Sequence, residues 1–354
     1  MEKKVVLLLG AGFAIPFGAP SCNKIRDAFE NDVDYGEIAK NIFAKLDEYY
    51  GGEGMANFET FLAAVESMAY YVFSKTNPGR PVKISNLMPS IYDFKLDLNQ
   101  YLEQLAKKKY PDCGEDALRN FMWDLFAHFI QIVIDKIAEY DNNNMQHEEI
   151  RDNFTKYIDS LIGEYDEVKI YTTNYDRLVP QILLGKNLYE ALDSQNHIEY
   201  DVFKFVNSKL TFFNLHGSIY WDCEKGDIKT GVNPYNTGAY SRKILLSGGN
   251  PSEPIMFCPI VAGYSKTQRA FSKAFDFGFT AFACDCNTCE KIITIGFSFN
   301  DSHINSIMSD FCNQISKLEI TYDSKKDLIE SDGNIKIYNG GLDKFLSDES
   351  VWNL

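Results

Sequence analysis

The chain has 354 residues, 45% of them hydrophobic and 14% aromatic, so it can bury one large core or two smaller ones. Its 35 basic and 50 acidic residues give a formal charge of −15, which disfavours direct binding to a nucleic-acid backbone. With no apolar run of membrane-spanning length, no secretion signal and eight irregularly spaced cysteines, we expect a cytoplasmic protein with reduced thiols.

The first predicted element is a strand at residues 5–9, a β-branched and leucine-rich run that ends in glycines. A helix is predicted at 23–29. Apolar residues then recur at helical spacing, most clearly at 58–73 and 118–137, with breaks at 78–81 and 141–144. Between the first strand and residue 168, strand-like runs are absent. We therefore expect residues 31–160 to form an all-helical insertion.

Strand-like runs return in the second half of the chain, at 168–172, 210–215, 292–295, 318–321 and 335–338. Several are followed by a polar or glycine-containing turn and then by helix-like sequence. Strands that alternate with helices favour an α/β protein with a Rossmann-like, doubly wound parallel sheet. We expect that sheet domain to comprise residues 1–30 and 161–354.

A short loop follows the first strand directly and contains Gly10, Ala11, Gly12 and Phe13. Glycine there allows backbone N–H groups to approach a pyrophosphate, whose charge the following helix would stabilise. The third glycine of the usual dinucleotide fingerprint is missing. The same residues therefore also fit a simple tight turn between strand and helix.

Three later strand ends carry polar residues. Their sequences are Thr172-Thr173-Asn174-Tyr175-Asp176, Asn214-Leu215-His216-Gly217-Ser218 and Gly296-Phe297-Ser298-Phe299-Asn300-Asp301. In an open parallel sheet, ligands bind outside the carboxyl ends of the strands, where these side chains would lie. The alternatives are an Asx-rich turn for the first segment and a structural histidine for the second.

In this chain order the four segments resemble the sirtuin family, with its Gly-Ala-Gly loop, Asn-x-Asp motif, Leu-His-Gly-Ser motif and late Gly-x-Ser strand end. The resemblance covers residues 1–30 and roughly 165–340. It implies an NAD site in which the glycine loop lines the phosphates. It further implies that Asn174 lies at the nicotinamide ribose, that Asp176 holds the carboxamide and that Thr173 is one of the cofactor-binding residues. His216 would be the general base, and Gly296 and Ser298 would contact the adenosine half.

The sequence departs from the protein-deacylating sirtuins both around the loop and in its cysteines. Those enzymes have a Pro-Asp-Phe-Arg segment after the loop, whereas Ser21 follows Pro20 here, and Ala14 stands where a serine is common. They also carry two Cys-x-x-Cys pairs that bind zinc, but here only Cys286 and Cys289 have that spacing. The remaining cysteines nearby, Cys284, Cys223 and Cys258, do not complete a set of four ligands. We therefore expect no metal.

With its helical segment and missing zinc module, the chain resembles sirtuin-like effectors of bacterial antiphage defence. That resemblance implies an NAD+ glycohydrolase (NADase) that cleaves NAD+, as its substrate, to ADP-ribose and nicotinamide. It also implies a homo-oligomer and a separate sensor or HerA-like translocase-type ATPase as partner. The alternatives are an NAD-dependent protein deacylase and a non-catalytic module that senses NAD or ADP-ribose.

In the expected mechanism, Asn174, Asp176 and His216 form the catalytic group: Asn174 orients a water and His216 assists its deprotonation. His303 follows the fourth motif, where it could reach the nucleotide or begin a helix, and the sequence favours the helix. His128, His147 and His197 lie in a helix or in polar stretches and are not candidates.

Overall fold

The computed structural model describes residues 2–76, 98–143, 147–224, 227–234, 260, 273–312 and 315–354. The chain divides into two compact units. The first contains Met1–Ala19, Ile137–Val232 and Thr267–Leu354, and the second contains Pro20–Lys136 and Asn233–Lys266. The predicted break at 78–81 and Cys258 lie outside the described residues.

The first unit is built on a seven-stranded sheet. In chain order its strands are β1 (Lys4–Leu9), β2 (Glu167–Thr172), β3 (Leu210–Asn214), β6 (Lys291–Ile295), β7 (Ser316–Ile320), β8 (Ile329–Asp332) and β9 (Ile335–Tyr338). A separate hairpin pairs β4 (Asp222–Glu224) with β5 (Asp227–Lys229). The spatial order is β3-β2-β1-β6-β7-β9-β8, and every neighbouring pair is parallel except β8 with β9.

The central strand β1 explains why the sheet extends in both directions. Val5 to Leu9 are fully buried, as expected for a parallel strand covered on both faces. The chain adds β2 and β3 on one side of β1 and then returns to add β6 and β7 on the other. The carboxyl ends of β1 and β6 therefore form the switch point at which open α/β sheets bind ligands.

Twelve α-helices lie among the described residues. They are α1 (Ala11–Ala14), α2 (Cys22–Glu30), α3 (Gly36–Tyr50), α4 (Phe58–Thr76), α5 (Leu98–Lys109), α6 (Ala117–Asn143), α7 (Glu148–Glu164), α8 (Leu178–Ile182), α9 (Val202–Val206), α10 (Lys273–Thr288), α11 (Ser302–Cys312) and α12 (Leu342–Ser347). Short 3₁₀ turns occupy Ile15–Phe17, Pro111–Asp116 and Glu349–Val351. None of the helices in the described part of the chain is both long and apolar enough to cross a membrane.

The second unit has an aromatic core. Phe29 of α2, Phe43 of α3, Phe61 of α4 and Phe129 of α6 contact one another with ring centroids 4.7–6.3 Å apart. Ser21 begins α2 by accepting a hydrogen bond from the Lys24 amide. These phenylalanines lie at the helical spacing that the sequence shows, and their role is packing.

The predicted mixed α/β architecture is confirmed, including a mostly parallel sheet consistent with a Rossmann-like fold. All six predicted strands form, and within the described residues only helices and turns lie between β1 and β2. That these helices are an insertion into one sheet domain stays a prediction. Three strands lack a sequence signal: β4 and β5, and the polar edge strand β8.

Candidate functional site

The Gly-Ala-Gly loop packs backbone against backbone at the ends of β1 and β6. The Gly10 amide donates to the Ile295 carbonyl and the Gly12 amide to the Gly296 carbonyl, each at 2.9 Å. Gly296 has a φ of +60°, and a Cβ atom there would lie 2.3 Å from the Gly12 carbonyl carbon. Glycine is therefore required at these positions by close packing within the protein, a reason different from the approach to a pyrophosphate that the sequence suggests.

Phe13, the last residue of the predicted loop site, belongs to the core. Its side chain is 1% exposed and packs on the rings of Phe17 and Phe154, with centroids 5.4 and 5.0 Å apart. Its amide donates to the Gly10 carbonyl. By contrast, Ala11 and Gly12 are exposed, so they are the loop residues that a ligand can reach.

The end of β2 is hydrogen-bonded to this loop. The Thr173 amide and the Thr172 hydroxyl both donate to the Leu9 carbonyl at 3.0 Å. One residue later, Nδ2 of Asn174 donates to the Gly10 carbonyl at 3.0 Å, and the Asn174 amide donates to the Thr172 hydroxyl. The Asn174 side chain is consequently fixed across the switch point while remaining partly exposed.

Asn214, at the end of β3, ties the third strand end to the second. Its Nδ2 donates to the Asn174 carbonyl at 2.9 Å and to the Asp176 carbonyl at 3.2 Å, and the side chain is 6% exposed. The Ser218 hydroxyl donates to the Tyr175 carbonyl at 2.9 Å. Two side chains that flank His216 thus hold one loop against the other, a role for Asn214 that its place in the motif does not reveal.

Asp176 is a buried carboxylate. It is 5% exposed, and its Oδ1 accepts a hydrogen bond from the Leu178 amide at the start of α8. Burial, with the neighbouring Asp141 carboxylate, raises the pKa of Asp176 to about 7. Asp141 is itself 1% exposed and accepts hydrogen bonds from the Tyr220 hydroxyl and the Arg177 amide. These interactions hold the loop that carries Asn174, and a contact from Asp176 to a carboxamide stays a prediction.

His216 lies against residues that follow β6. Its ring is 1% exposed, and its Nε2 is 3.1 Å from Nε2 of His303. Asp301 lies close by, so that one ligand atom from each of these three residues falls within 4.8 Å of the others. His303 does begin helix α11, as the sequence favours, but its side chain also meets the predicted general base.

The turn between β6 and α11 has an unusual backbone. Phe299 has a φ of +56°, a conformation that costs a non-glycine residue energy and is often found at functional sites. Nδ2 of Asn305 stabilises the turn by donating to the Phe299 carbonyl at 2.5 Å. Ser298, one residue earlier, is exposed. The strained turn places Asp301 and His303 at the carboxyl edge of the sheet.

The structure therefore brings the four segments to one edge of the sheet, in agreement with their predicted positions at strand ends. Gly10 contacts Asn174, Asn174 contacts Asn214, and Gly12 contacts Gly296. The functional roles of these residues stay predictions. His303, Asp301 and Asn214 are the candidates that sequence reasoning set aside or did not single out.

The cysteines near residue 286 lie on one helix end. Cys284 and Cys286 belong to α10, Cys289 follows its last residue, and Sγ of Cys289 donates to the Cys286 carbonyl at 3.5 Å. Cys286 and Cys289 are buried and Cys284 is exposed. Among the residues that the structure describes, they do not belong to a group with metal-ligand geometry.

Comparison with known proteins adds no relative: no protein-family model matches this sequence, and no curated protein is significantly similar to it.

Proposed function

We propose that this protein is an NAD+ glycohydrolase that cleaves NAD+ to ADP-ribose and nicotinamide. The observation that carries the proposal is the continuous set of hydrogen bonds from Gly10 through Asn174 to Asn214, two residues before His216. It joins the loop and two of the three later strand-end motifs that resemble the sirtuin site. These groups meet at the switch point of a mostly parallel sheet, where such folds bind nucleotides.

In this proposal the substrate lies along the carboxyl edge of the sheet. The exposed Ala11 and Gly12 would contact its phosphates, and Gly296 with the exposed Ser298 would contact the adenosine half. Thr173 and Asn174, both partly exposed, would lie at the nicotinamide ribose. Phe13 would support the loop from the core, since its side chain is occupied by aromatic packing.

The reaction breaks the bond between the ribose C1′ and the nicotinamide nitrogen. The electron pair of that bond leaves with nicotinamide. Water adds to C1′, and its proton is released. The side-chain amide of Asn174 donates from Nδ2 to the Gly10 carbonyl. Its Oδ1 is therefore the acceptor with which Asn174 would orient that water. His216, whose Nε2 shares a hydrogen bond with Nε2 of His303, would be the general base that assists release of that proton. The fixed dipoles at the strand ends would stabilise the positive charge that develops on the ribose.

The biological role that we propose is antiphage defence by depletion of NAD+. An unregulated NAD+ hydrolase would harm the cell that makes it, so the activity requires restraint until infection is sensed. A homo-oligomer, acting with a separate sensor or a HerA-like translocase-type ATPase, would supply that control in the cytoplasm. A gene for such an ATPase beside this one would be the simplest supporting observation.

Incubation of the purified full-length chain with NAD+, without any acyl peptide, tests the activity. We expect ADP-ribose and nicotinamide in equal amounts by liquid chromatography, from the chain alone or together with the product of its neighbouring gene. Asn174→Ala and His216→Ala should lower the rate by about 100-fold or more. The matched controls Asn207→Ala and His197→Ala, which change the same residue types elsewhere, should leave it unchanged.

Two other outcomes would replace the proposal. Turnover that occurs only with an acyl-lysine peptide would identify an NAD-dependent protein deacylase. Saturable binding of NAD+ or ADP-ribose that Asn174→Ala weakens, with no product formed under either condition, would identify a non-catalytic sensing module.

A further inference from the structure

A cluster of three potential metal ligands includes the predicted general base, His216. One ligand atom from each of His216, Asp301 and His303 falls within 4.8 Å of the others, and the two histidine Nε2 atoms are 3.1 Å apart. His216 follows β3, whereas Asp301 and His303 precede and begin α11. Two distant parts of the chain thus place two imidazoles and one carboxylate around a common point.

The geometry and the ligand types fit a transition-metal cation. Two ligands of one tetrahedral zinc ion lie about 3.3 Å apart, close to the observed separation of the Nε2 atoms. Imidazole nitrogens suit Zn²⁺, Co²⁺ or Fe²⁺, whereas Mg²⁺ and Ca²⁺ prefer oxygen ligands. Two histidines and one carboxylate also leave coordination positions open for water, as in catalytic rather than structural zinc sites.

The surroundings hold the three side chains in place. The Phe279 ring packs edge-on against the His303 ring at 5.1 Å. Gly217, with a φ of +83°, turns the chain directly after His216, and the Phe299 turn leads into Asp301. His216 is 1% exposed, so its imidazole does not rotate freely in solvent. Ligands that are fixed before the cation arrives lose little conformational entropy on binding.

We propose that His216, Asp301 and His303 bind one divalent transition-metal cation of the zinc class, and that the bound cation inhibits the enzyme. A cation on Nε2 of His216 keeps the imidazole proton on Nδ1, so that neither ring nitrogen can accept another proton. The inhibitory effect rests on the proposed function, whereas the binding site does not. It also differs from the cysteine-based zinc site of deacylating sirtuins, since no cysteine contributes.

Binding is tested on the full-length chain after treatment with a chelator. Titration with Co²⁺ should produce visible absorption that saturates at one ion per chain and disappears when Zn²⁺ displaces the cobalt. Asp301→Asn and His303→Ala should each weaken Co²⁺ binding by about tenfold or more, whereas His197→Ala should bind as the unaltered chain does. Circular dichroism of each variant verifies that it is folded, and Asp301→Asn is the conservative change if His303→Ala unfolds.

Unaltered Co²⁺ binding by Asp301→Asn, or the lack of saturable absorption in the unaltered chain, would overturn the metal site. The two imidazoles would then share only a hydrogen bond.

Inhibition is measured separately on NAD+ cleavage: Zn²⁺ should lower the rate, a chelator should restore it, and Asp301→Asn should resist the inhibition. If cobalt binds at the cluster but NAD+ is never cleaved, the site stands and the proposed activity fails. If Zn²⁺ binds and cleavage is unaffected, the inhibitory role is wrong.

Discussion

The two halves of the carboxyl edge are built by different means. At the ends of β1 and β6, backbone packs directly on backbone through Gly10, Gly12 and Gly296, without any side chain between them. At the ends of β2 and β3, side chains add to the backbone hydrogen bonds, because Asn174 and Asn214 donate to carbonyl groups of the neighbouring loops. We call these the glycine half and the amide half.

The difference shows how one edge of an α/β sheet can combine closely packed backbone with side-chain hydrogen bonds. Close backbone packing in the glycine half fixes the loop and leaves no room for a larger residue. The amide half depends on individual hydrogen bonds, so a substitution there should lower the free energy of unfolding only by the contribution of the bonds it removes. Substitutions in the glycine half should therefore affect folding, whereas those in the amide half should affect stability moderately and chemistry strongly.

The largest effect is expected from Gly296→Ala in the glycine half. The added Cβ would lie 2.3 Å from backbone atoms of Gly12 and Phe13, at a φ of +60° that alanine adopts poorly. We expect a loss of about 3 kcal/mol or more in the free energy of unfolding, or failure to fold. Urea denaturation followed by circular dichroism measures the change.

Gly163→Ala is the matched control for that substitution. Gly163 lies in helix α7, and a Cβ atom there would meet no atom within 4 Å. Alanine should therefore stabilise the protein by about 0.5–1 kcal/mol, because it favours the helix. Equal stability of Gly296→Ala and the unaltered protein would mean that the glycine half is not packed as described.

A moderate effect is expected from Asn214→Ala in the amide half. The change removes the donor to the Asn174 and Asp176 carbonyls in a buried setting, and we expect a cost of about 2 kcal/mol in urea denaturation. Asn207→Ala removes an exposed amide that donates to the Phe203 carbonyl, and it should cost within about 0.5 kcal/mol. Similar costs for the two variants would contradict a structural role for Asn214.

Asp176, in the same half, should give the stability of the protein a measurable pH dependence. The pKa of Asp176 is raised to about 7 from 3.8, so the folded protein binds a proton that the unfolded chain releases. The contribution of Asp176 to the free energy of unfolding is therefore fully present at about pH 4 and declines as the pH rises towards 7. Asp176→Asn should flatten the change in the urea midpoint between pH 5 and pH 8, and exposed Asp166→Asn should not. A steeper decline in Asp176→Asn would mean that folding lowers the pKa of Asp176 and does not raise it.

The smallest effect is expected from Ser298→Ala. The side chain is exposed and the substitution should change the free energy of unfolding by less than about 0.5 kcal/mol. If Ser298 contacts the adenosine half of NAD+, KM should rise severalfold while kcat stays the same, because that contact is equal in ground and transition states. Ser306→Ala, at an exposed position of α11, should change neither constant. A fall in kcat for Ser298→Ala would place this residue closer to the chemistry.

The sequence by itself determined the local elements. An apolar, β-branched run can be recognised without its partner strands, so the strand at Val5 and the later one at Ile292 could be found directly. The polar residues that end these strands were equally visible, which placed Asn174 and His216 at the carboxyl edge. Strands β4, β5 and β8 were missed, because short or polar strands carry no apolar pattern.

Only the tertiary structure decided which residues meet at that edge. His216 and His303 are 87 positions apart, and Asn174 reaches Gly10 across 164 positions. Such contacts depend on the order and register of parallel strands joined by long connections, which no local pattern encodes. For the same reason the sequence could show that Gly12 and Gly296 are glycines, but not that each excludes a side chain from the other.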